Sequence, residues 1–260
     1  MSVNSLYIKE QGQGHPLILL HGWGFNHVIW DEIATQLANQ WHVYQVDLPG
    51  HGKSPLCDYE LSTICRLLVD KLPQPAIWIG WSLGGLFAMA IATRYPKAVR
   101  ALGLVASSPR FITAEDWSCA MTIPVLQKFE QNLQLDMVTT LKRFLALQVQ
   151  NSPTARDQLR QLYQLFQQAG YPQADALQGG LYLLRSVDLR ETLINITCPA
   201  WSCLGQHDAL VPIAIQHAYP HYLPSLEIDC IPSAAHIPFL SHPDIFLQHL
   251  SQFFTRHGLN

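Results

Sequence analysis

The stretch Ala76-Ile77-Trp78-Ile79-Gly80-Trp81-Ser82-Leu83-Gly84-Gly85 constrains this chain more than any other. Its apolar, β-favouring half runs straight into Gly-x-Ser-x-Gly, and the helix-favouring residues 86–92 follow at once. A strand that enters a helix through a single residue makes a sharp turn. Glycines at 80 and 84 are needed there because neighbouring segments come too close for a Cβ. Such a turn holds Ser82 in a strained conformation, with its hydroxyl above a sheet. The helix N-terminus beneath favours negative charge. Ser82 is therefore a candidate nucleophile, and the remaining chain is read for its partners.

A first short strand is expected at 6–9. The unbroken apolar run 17–20 reads as a strand covered on both faces. Strands at 43–46, 76–79 and 101–106 alternate with helices at 28–39, 61–72 and after Ser82. That cadence predicts an α/β chain whose mostly parallel sheet is flanked by helices on both faces. From 111 to 187 the cadence changes to polar–apolar stretches of helical period. We expect a helical cap there, inserted into a core formed by 1–110 and 188–260. Within it, Ser152-Pro153 reads as the start of a helix that ends near Gly170. Strands resume at 200–204 and 226–231, and a helix at 243–254 closes the chain.

The 260 residues can bury one large core, with or without an insertion. A net charge of −3 argues against a nucleic-acid or anionic-membrane partner, either of which calls for a basic surface. No apolar run is long enough to cross a bilayer. The N-terminal residues carry no basic segment followed by a long apolar stretch, so no signal peptide is expected. The six cysteines form no Cys-x-x-Cys pair and no metal-like spacing with histidine, which points to reduced thiols in a cytoplasm. Cys65, Cys203 and Cys230 read as small core residues. No metal and no organic cofactor is implied, and a monomer is expected.

A serine hydroxyl needs a base, and the base works best when a carboxylate fixes its tautomer. Asp208 lies just past the 200–204 strand and His236 just past the 226–231 strand. Both are thereby placed on the sheet edge that carries Ser82, in the order Ser, Asp, His. Asp229 is mid-strand, Asp188 is too far ahead of a strand, and His242 and His249 belong to the closing segment. His207 adjoins Asp208 with its side chain expected to turn elsewhere. Two backbone N–H groups should hold a tetrahedral oxyanion: that of Leu83, after the nucleophile, and that of Trp23, in the loop after the 17–20 strand. His21 is expected to brace that loop.

Several motifs together resemble a known group. They are His-Gly-Trp-Gly (21–24), Asp-Leu-Pro-Gly-His-Gly-Lys-Ser (47–54), Gly-Trp-Ser-Leu-Gly-Gly (80–85), Val-Ala-Ser-Ser-Pro (105–109), Arg-Phe-Leu-Ala-Leu-Gln (143–148), Gly-Gly-Leu (179–181) and Val-Asp-Leu-Arg (187–190). The chain resembles the BioH carboxylesterases, which hydrolyse the methyl ester of pimeloyl-acyl carrier protein in biotin synthesis. The resemblance implies the α/β-hydrolase fold, a catalytic triad of Ser82, Asp208 and His236, and an acyl carrier protein as partner. It also implies an acyl site at Trp23, Ser82, Leu83, His236 and the cap segment Phe144, Leu145, Ala146, Leu147 and Gln148. Apolar side chains at 144, 145 and 147 suit a seven-carbon chain.

Carrier proteins of this kind are acidic, so a basic face should receive them. Arg143, Arg156 and Arg160 are the candidates, the last two sharing one helix face. The family carries arginines in this region, whereas here the stretch ahead is Val138-Thr139-Thr140. The same three catalytic residues would also serve a thioesterase, a lipase or a C–C hydrolase, and a vestigial set would leave a ligand-binding module.

Overall fold

The apolar runs at 17–20 and 76–79 lie side by side at the centre of a seven-stranded sheet in the computed structural model, which describes residues 5–259. The strands are β1 (Ile8–Gln11), β2 (His15–Leu20), β3 (Trp41–Val46), β4 (Ala76–Trp81), β5 (Val99–Val105), β6 (Ala200–Gly205) and β7 (Glu227–Ile231). Their spatial order is β1-β3-β2-β4-β5-β6-β7. Among the described residues, β1 alone in the sheet runs antiparallel to its neighbour, and the sheet's other pairings are parallel. This is the expected mostly parallel sheet. Because the strands share a direction, their carboxyl ends share one edge, which is where such sheets place ligands.

Helices cover both faces, and their burial follows their sequence period. In α1 (Asp31–Leu37) the buried side chains are Ile33, Ala34 and Leu37. In α2 (Leu61–Lys71) they are Leu61, Ile64, Cys65, Leu68 and Val69, one stripe at helical spacing. The first ten residues of α3 (Leu83–Arg94) are all buried, as befits the helix that follows the central strand. The expected helix over 28–39 divides in two: a 3-10 turn, His27–Trp30, capped by the Asn26 side chain, and then α1.

Four helices stand between β5 and β6: α4 (Ile123–Leu135), α5 (Met137–Gln148), α6 (Ala155–Ala169) and α7 (Ala174–Ser186). The turn between α4 and α5 is fixed by Asp136, whose carboxylate caps α5 by accepting from Thr139 N at 3.0 Å. The start expected for α6 at Ser152 is corrected. Ser152 accepts from Thr154 N through its hydroxyl and from Ala155 N through its carbonyl, so it makes a turn, and the helix begins at Ala155. Gly170, at φ 75, closes it as expected.

After β6 come α8 (Ile215–Tyr222), which the sequence reading lacks, then a short α9 (Pro238–Ser241) and α10 (Pro243–Arg256). Along α10, Phe246, Leu250, Phe253 and Phe254 turn inward. Trp30 and Phe239 stack at 4.0 Å between ring centroids and join the two ends of the chain. All six cysteines are free, and Cys65 and Cys203 are buried as expected. Cys230 is only half-buried, because β7 is an edge strand with solvent on one side.

Candidate active site

Ser82 sits between β4 and α3 at φ 53 and ψ −116, a region that L side chains rarely occupy. The structure shows why the elbow is this tight. A Cβ on Gly80 would meet the Gly84 carbonyl oxygen at 2.3 Å, and one on Gly84 would meet that of Leu20 at 2.5 Å. Ser82 N donates to Val105 O at 2.9 Å, and Ser107 Oγ donates to Ser82 O at 2.7 Å. Backbone strain of this kind costs on the order of 1–3 kcal/mol and persists only where neighbours overdetermine it. Here β5 and the Ser107 hydroxyl do so.

Asp208 and His236 meet at the same edge. His236 Nδ1 lies 2.7 Å from Asp208 Oδ2, with the carboxylate side chain fully buried and the imidazole 1% exposed. Asp208 Oδ1 accepts from Leu210 N at 2.8 Å and Val211 N at 2.9 Å, so both carboxylate oxygens are held. The loop that carries His236 is tied from two sides. Trp81 Nε1, one residue before the serine, donates to His236 O at 2.7 Å, and His236 N donates to Gln148 O at 3.0 Å. No hydrogen bond between Ser82 Oγ and the imidazole is formed among the described residues. Contacts of this type are often long until substrate is seated.

The buried N–H groups of Trp23 and Leu83 donate to no protein acceptor among the described residues. A buried donor without a partner is costly, and two such donors beside a cavity lined by Trp23 and Ser82 suit a developing oxyanion. The Trp23 indole is fixed separately: Nε1 donates to Leu177 O at 2.8 Å, and the ring meets Phe144 edge-on at 4.8 Å. Gly180 of α7 lies against that ring, where a Cβ would come within 2.6 Å of Trp23 Cδ1.

Above Ser82 opens a cavity of about 310 Å³. Trp23, Phe129, Phe144, Leu147 and Leu181 contribute to an apolar wall. Of the expected acyl segment, Phe144 and Leu147 line the cavity, whereas Leu145, Ala146 and Gln148 do not. Five consecutive helical residues span more than one turn, so they cannot share a face. Leu145 and Gln148 are buried on another side, and Ala146 is exposed. Leu83 and His236 likewise stay out of the wall. The rest of the lining from Phe111, Met121, Val125 and Leu126 is absent from the sequence reading, because an apolar pattern does not say whether a residue meets protein or ligand.

The other histidines and acids fall where the sequence puts them. His207 Nδ1 turns away to Asn151 O at 2.9 Å. Asp229 accepts from Trp201 Nε1, and Asp188 pairs with Arg110 and Arg190. Arg143, Arg156 and Arg160 are all exposed. His21 accepts from Leu48 N at Nε2 and contacts Gly22 O through Nδ1, so it braces the loop as a neutral ring.

Burial, helped by neighbouring His51, pushes the His21 pKa down to about 3, and burial pushes that of His51 down to about 4. Both rings stay neutral in the fold, whereas in the unfolded chain they take a proton near pH 6.5. Above that pH they contribute no pH dependence. As pH falls below it, the unfolded state binds protons that the fold refuses, and stability drops. At pH 5.5 each histidine should cost about 1.4 kcal/mol relative to pH 7.5. Urea unfolding at the two pH values checks this, and His51→Gln should remove about 1.4 kcal/mol of the difference. Equal slopes in both proteins would rule out the assignment to these rings.

A model of the alpha/beta hydrolase family matches residues 17–249. A pimeloyl-[acyl-carrier protein] methyl ester esterase of Shewanella woodyi is 40% identical over 254 residues, covering 97% of this chain and 99% of that one. Another so named, of Klebsiella pneumoniae, is 40% identical over 258 residues, covering 98% and 100%. An esterase from Exiguobacterium antarcticum is similar in fold at a TM-score of 0.86, with 21% identity, covering 96% of this chain and 95% of that one. Among the described residues no helix is long and apolar enough to cross a membrane. Matched from end to end at this identity, the chain belongs to the alpha/beta hydrolase family, in the company of the pimeloyl-[acyl-carrier protein] methyl ester esterases.

Proposed function

We infer that this chain is a serine carboxylesterase that hydrolyses the methyl ester of pimeloyl-[acyl-carrier protein], releasing methanol and leaving pimeloyl-[acyl-carrier protein] for biotin synthesis. The observation that carries this reading is the apolar cavity with Ser82 in its lining, in a chain 40% identical to esterases of that name over their whole length.

On this reading His236 takes the proton of Ser82 as Oγ attacks the ester carbonyl carbon. The N–H groups of Trp23 and Leu83 hold the oxyanion, each contributing about 3–4 kcal/mol to transition-state stabilisation. Methanol departs with the proton from His236. Water then attacks the acyl-enzyme, giving its proton to His236, and Ser82 is regenerated. Asp208 keeps the imidazole in the tautomer that leaves Nε2 free to act as base.

Residues 111–187 act as a cap over a core of 1–110 and 188–260; α4, α5 and α7 all supply side chains to the cavity wall, which supports that division. The acyl carrier protein docks on the cap through Arg143, Arg156 and Arg160, none of which has an ion-pair partner among the described residues. The protein acts as a monomer. Six free thiols suit a cytoplasmic setting.

The test follows intact-protein mass as the carrier-borne ester loses its methyl group, beside hydrolysis of a short p-nitrophenyl ester. Turnover of the carrier substrate should be the more efficient. Arg156→Glu combined with Arg160→Glu should raise KM for the carrier substrate about tenfold, and more at low salt, with little change on the p-nitrophenyl ester. A carrier substrate left intact while short esters turn over would sink the assignment of substrate.

A further inference from the structure

We propose that the same cavity also takes free half-esters, namely monomethyl esters of linear dicarboxylic acids of about seven carbons, with the far carboxylate held by Lys128 at the cavity mouth. The proposal rests on the reading of Ser82 as the esterase nucleophile and extends it to a second, anionic class of substrate.

On α4 the residues that line the cavity are Val125, Leu126, Lys128, Phe129 and Asn132. Positions 125, 128, 129 and 132 recur at three and four, so they form one face of the helix. Phe129 is half-buried, and its ring meets that of buried Trp23 edge-on at 5.4 Å. Lys128 is exposed and therefore stands at the solvent end, with Asn132 one turn further along the helix and exposed Gln150 contributed from just beyond α5. Trp23 and Ser82 are buried. The slot thus runs from a buried serine to a polar mouth.

None of the three polar side chains at that mouth has a hydrogen-bond or ion-pair partner among the described residues, and no acidic residue lines the cavity. Arg185 differs: it is paired with Glu130 at 2.9 Å. A lone cation at the open end of an apolar slot complements a substrate with an ester at one end and an anion at the other. Size agrees with a small linear ligand, since a cavity of about 310 Å³ lies at the lower end of the range for small-molecule sites. With the ester of such a chain at Ser82, its second carboxyl group faces the polar mouth. In the carrier-borne substrate this place belongs to a neutral thioester carbonyl, which Asn132 and Gln150 can serve as donors. The charge of Lys128 has no such use there.

The chemistry is unchanged. A bond forms from Ser82 Oγ to the ester carbonyl carbon, the bond to methoxide breaks, and methanol leaves with the proton taken from Ser82. Water cleaves the acyl-enzyme. The net result consumes one water and yields methanol, a dicarboxylate and a proton.

Steady-state kinetics on the monomethyl ester of heptanedioic acid and on methyl heptanoate, its neutral counterpart, test the proposal. The protein should favour the half-ester in kcat/KM about two- to fivefold at low ionic strength, the range open to one exposed ion pair, and the preference should shrink as salt is added. Lys128→Met should abolish the preference mainly through KM, and Lys128→Glu should invert it. Equal kcat/KM on the two esters, or a preference that survives Lys128→Glu, overturns the proposal while leaving the esterase intact. Failure to hydrolyse either ester would instead count against Ser82 as the nucleophile, and the half-ester proposal would fall with it.

Discussion

Replacing Ser82 by alanine is expected to lower kcat on the carrier methyl ester by about a millionfold, with the fold retained. The expectation follows from how the residue is held. Its backbone is fixed by Val105 O and by the Ser107 hydroxyl, neither of which involves Oγ. On the proposed mechanism, losing the hydroxyl therefore removes the nucleophile without removing a tie. What remains, binding and the two backbone donors, should still exceed the uncatalysed rate about a thousandfold.

A glycine in the same place gives a second readout. At φ 53 and ψ −116 an alanine keeps the strain that serine bears, whereas glycine relieves it. Relief of on the order of 1–3 kcal/mol, less about 1 kcal/mol for the freer unfolded chain, should leave Ser82→Gly about 1 kcal/mol more stable than Ser82→Ala. That is a rise in Tm of about 2–4 °C for a chain of this size. An alanine variant that keeps a hundredth of the activity would show that another group attacks the ester. Equal melting points for the two variants would show that the elbow stores no strain.

The meeting of Asp208 and His236 is legible because a parallel sheet collects strand ends on one edge. Once 76–79, 200–204 and 226–231 read as strands, the residues just past them had to gather, and Asp208 and His236 do so. The elbow glycines were legible for a related reason, since a strand that enters a helix through one residue leaves no room for a Cβ. Orientation within helices was harder to read. Residues 144–148 looked like one apolar wall, yet the helix turns Phe144 and Leu147 one way and Leu145 and Gln148 another. Gln148, which the resemblance puts in the acyl site, instead supports the site through its backbone carbonyl, which accepts from His236 N. No sequence signal assigns such a role, because every residue has a carbonyl. Helix α8 is hidden in the sequence because Pro220 lies inside it, and proline ordinarily marks a boundary.

Asp208→Asn is the second large effect, and the hydrogen bonds around the carboxylate dictate its direction. Oδ1 accepts from two backbone N–H groups, those of Leu210 and Val211. An asparagine in the same pose must present its oxygen to them, because an NH2 facing two donors would leave all three unsatisfied. Its NH2 then points at His236 Nδ1, where the carboxylate oxygen now stands at 2.7 Å. Nδ1 becomes an acceptor, the ring proton moves to Nε2, and the nitrogen that must act as base toward Ser82 is already protonated. A loss in kcat of about ten-thousandfold is expected, with KM changed little.

The rate should partly recover toward alkaline pH as hydroxide replaces the missing base. Asp208→Ala separates tautomer from position. Without an amide to force Nδ1 into the acceptor role, the ring can protonate at either nitrogen, and the alanine variant should be impaired no more than the asparagine variant despite losing more contacts. Kinetics from pH 6 to 10, with imidazole 15N shifts to read the tautomer, decide the matter. An asparagine variant whose His236 still carries its proton on Nδ1, or one within tenfold of the unmodified chain, would show that this carboxylate does not set the state of the base.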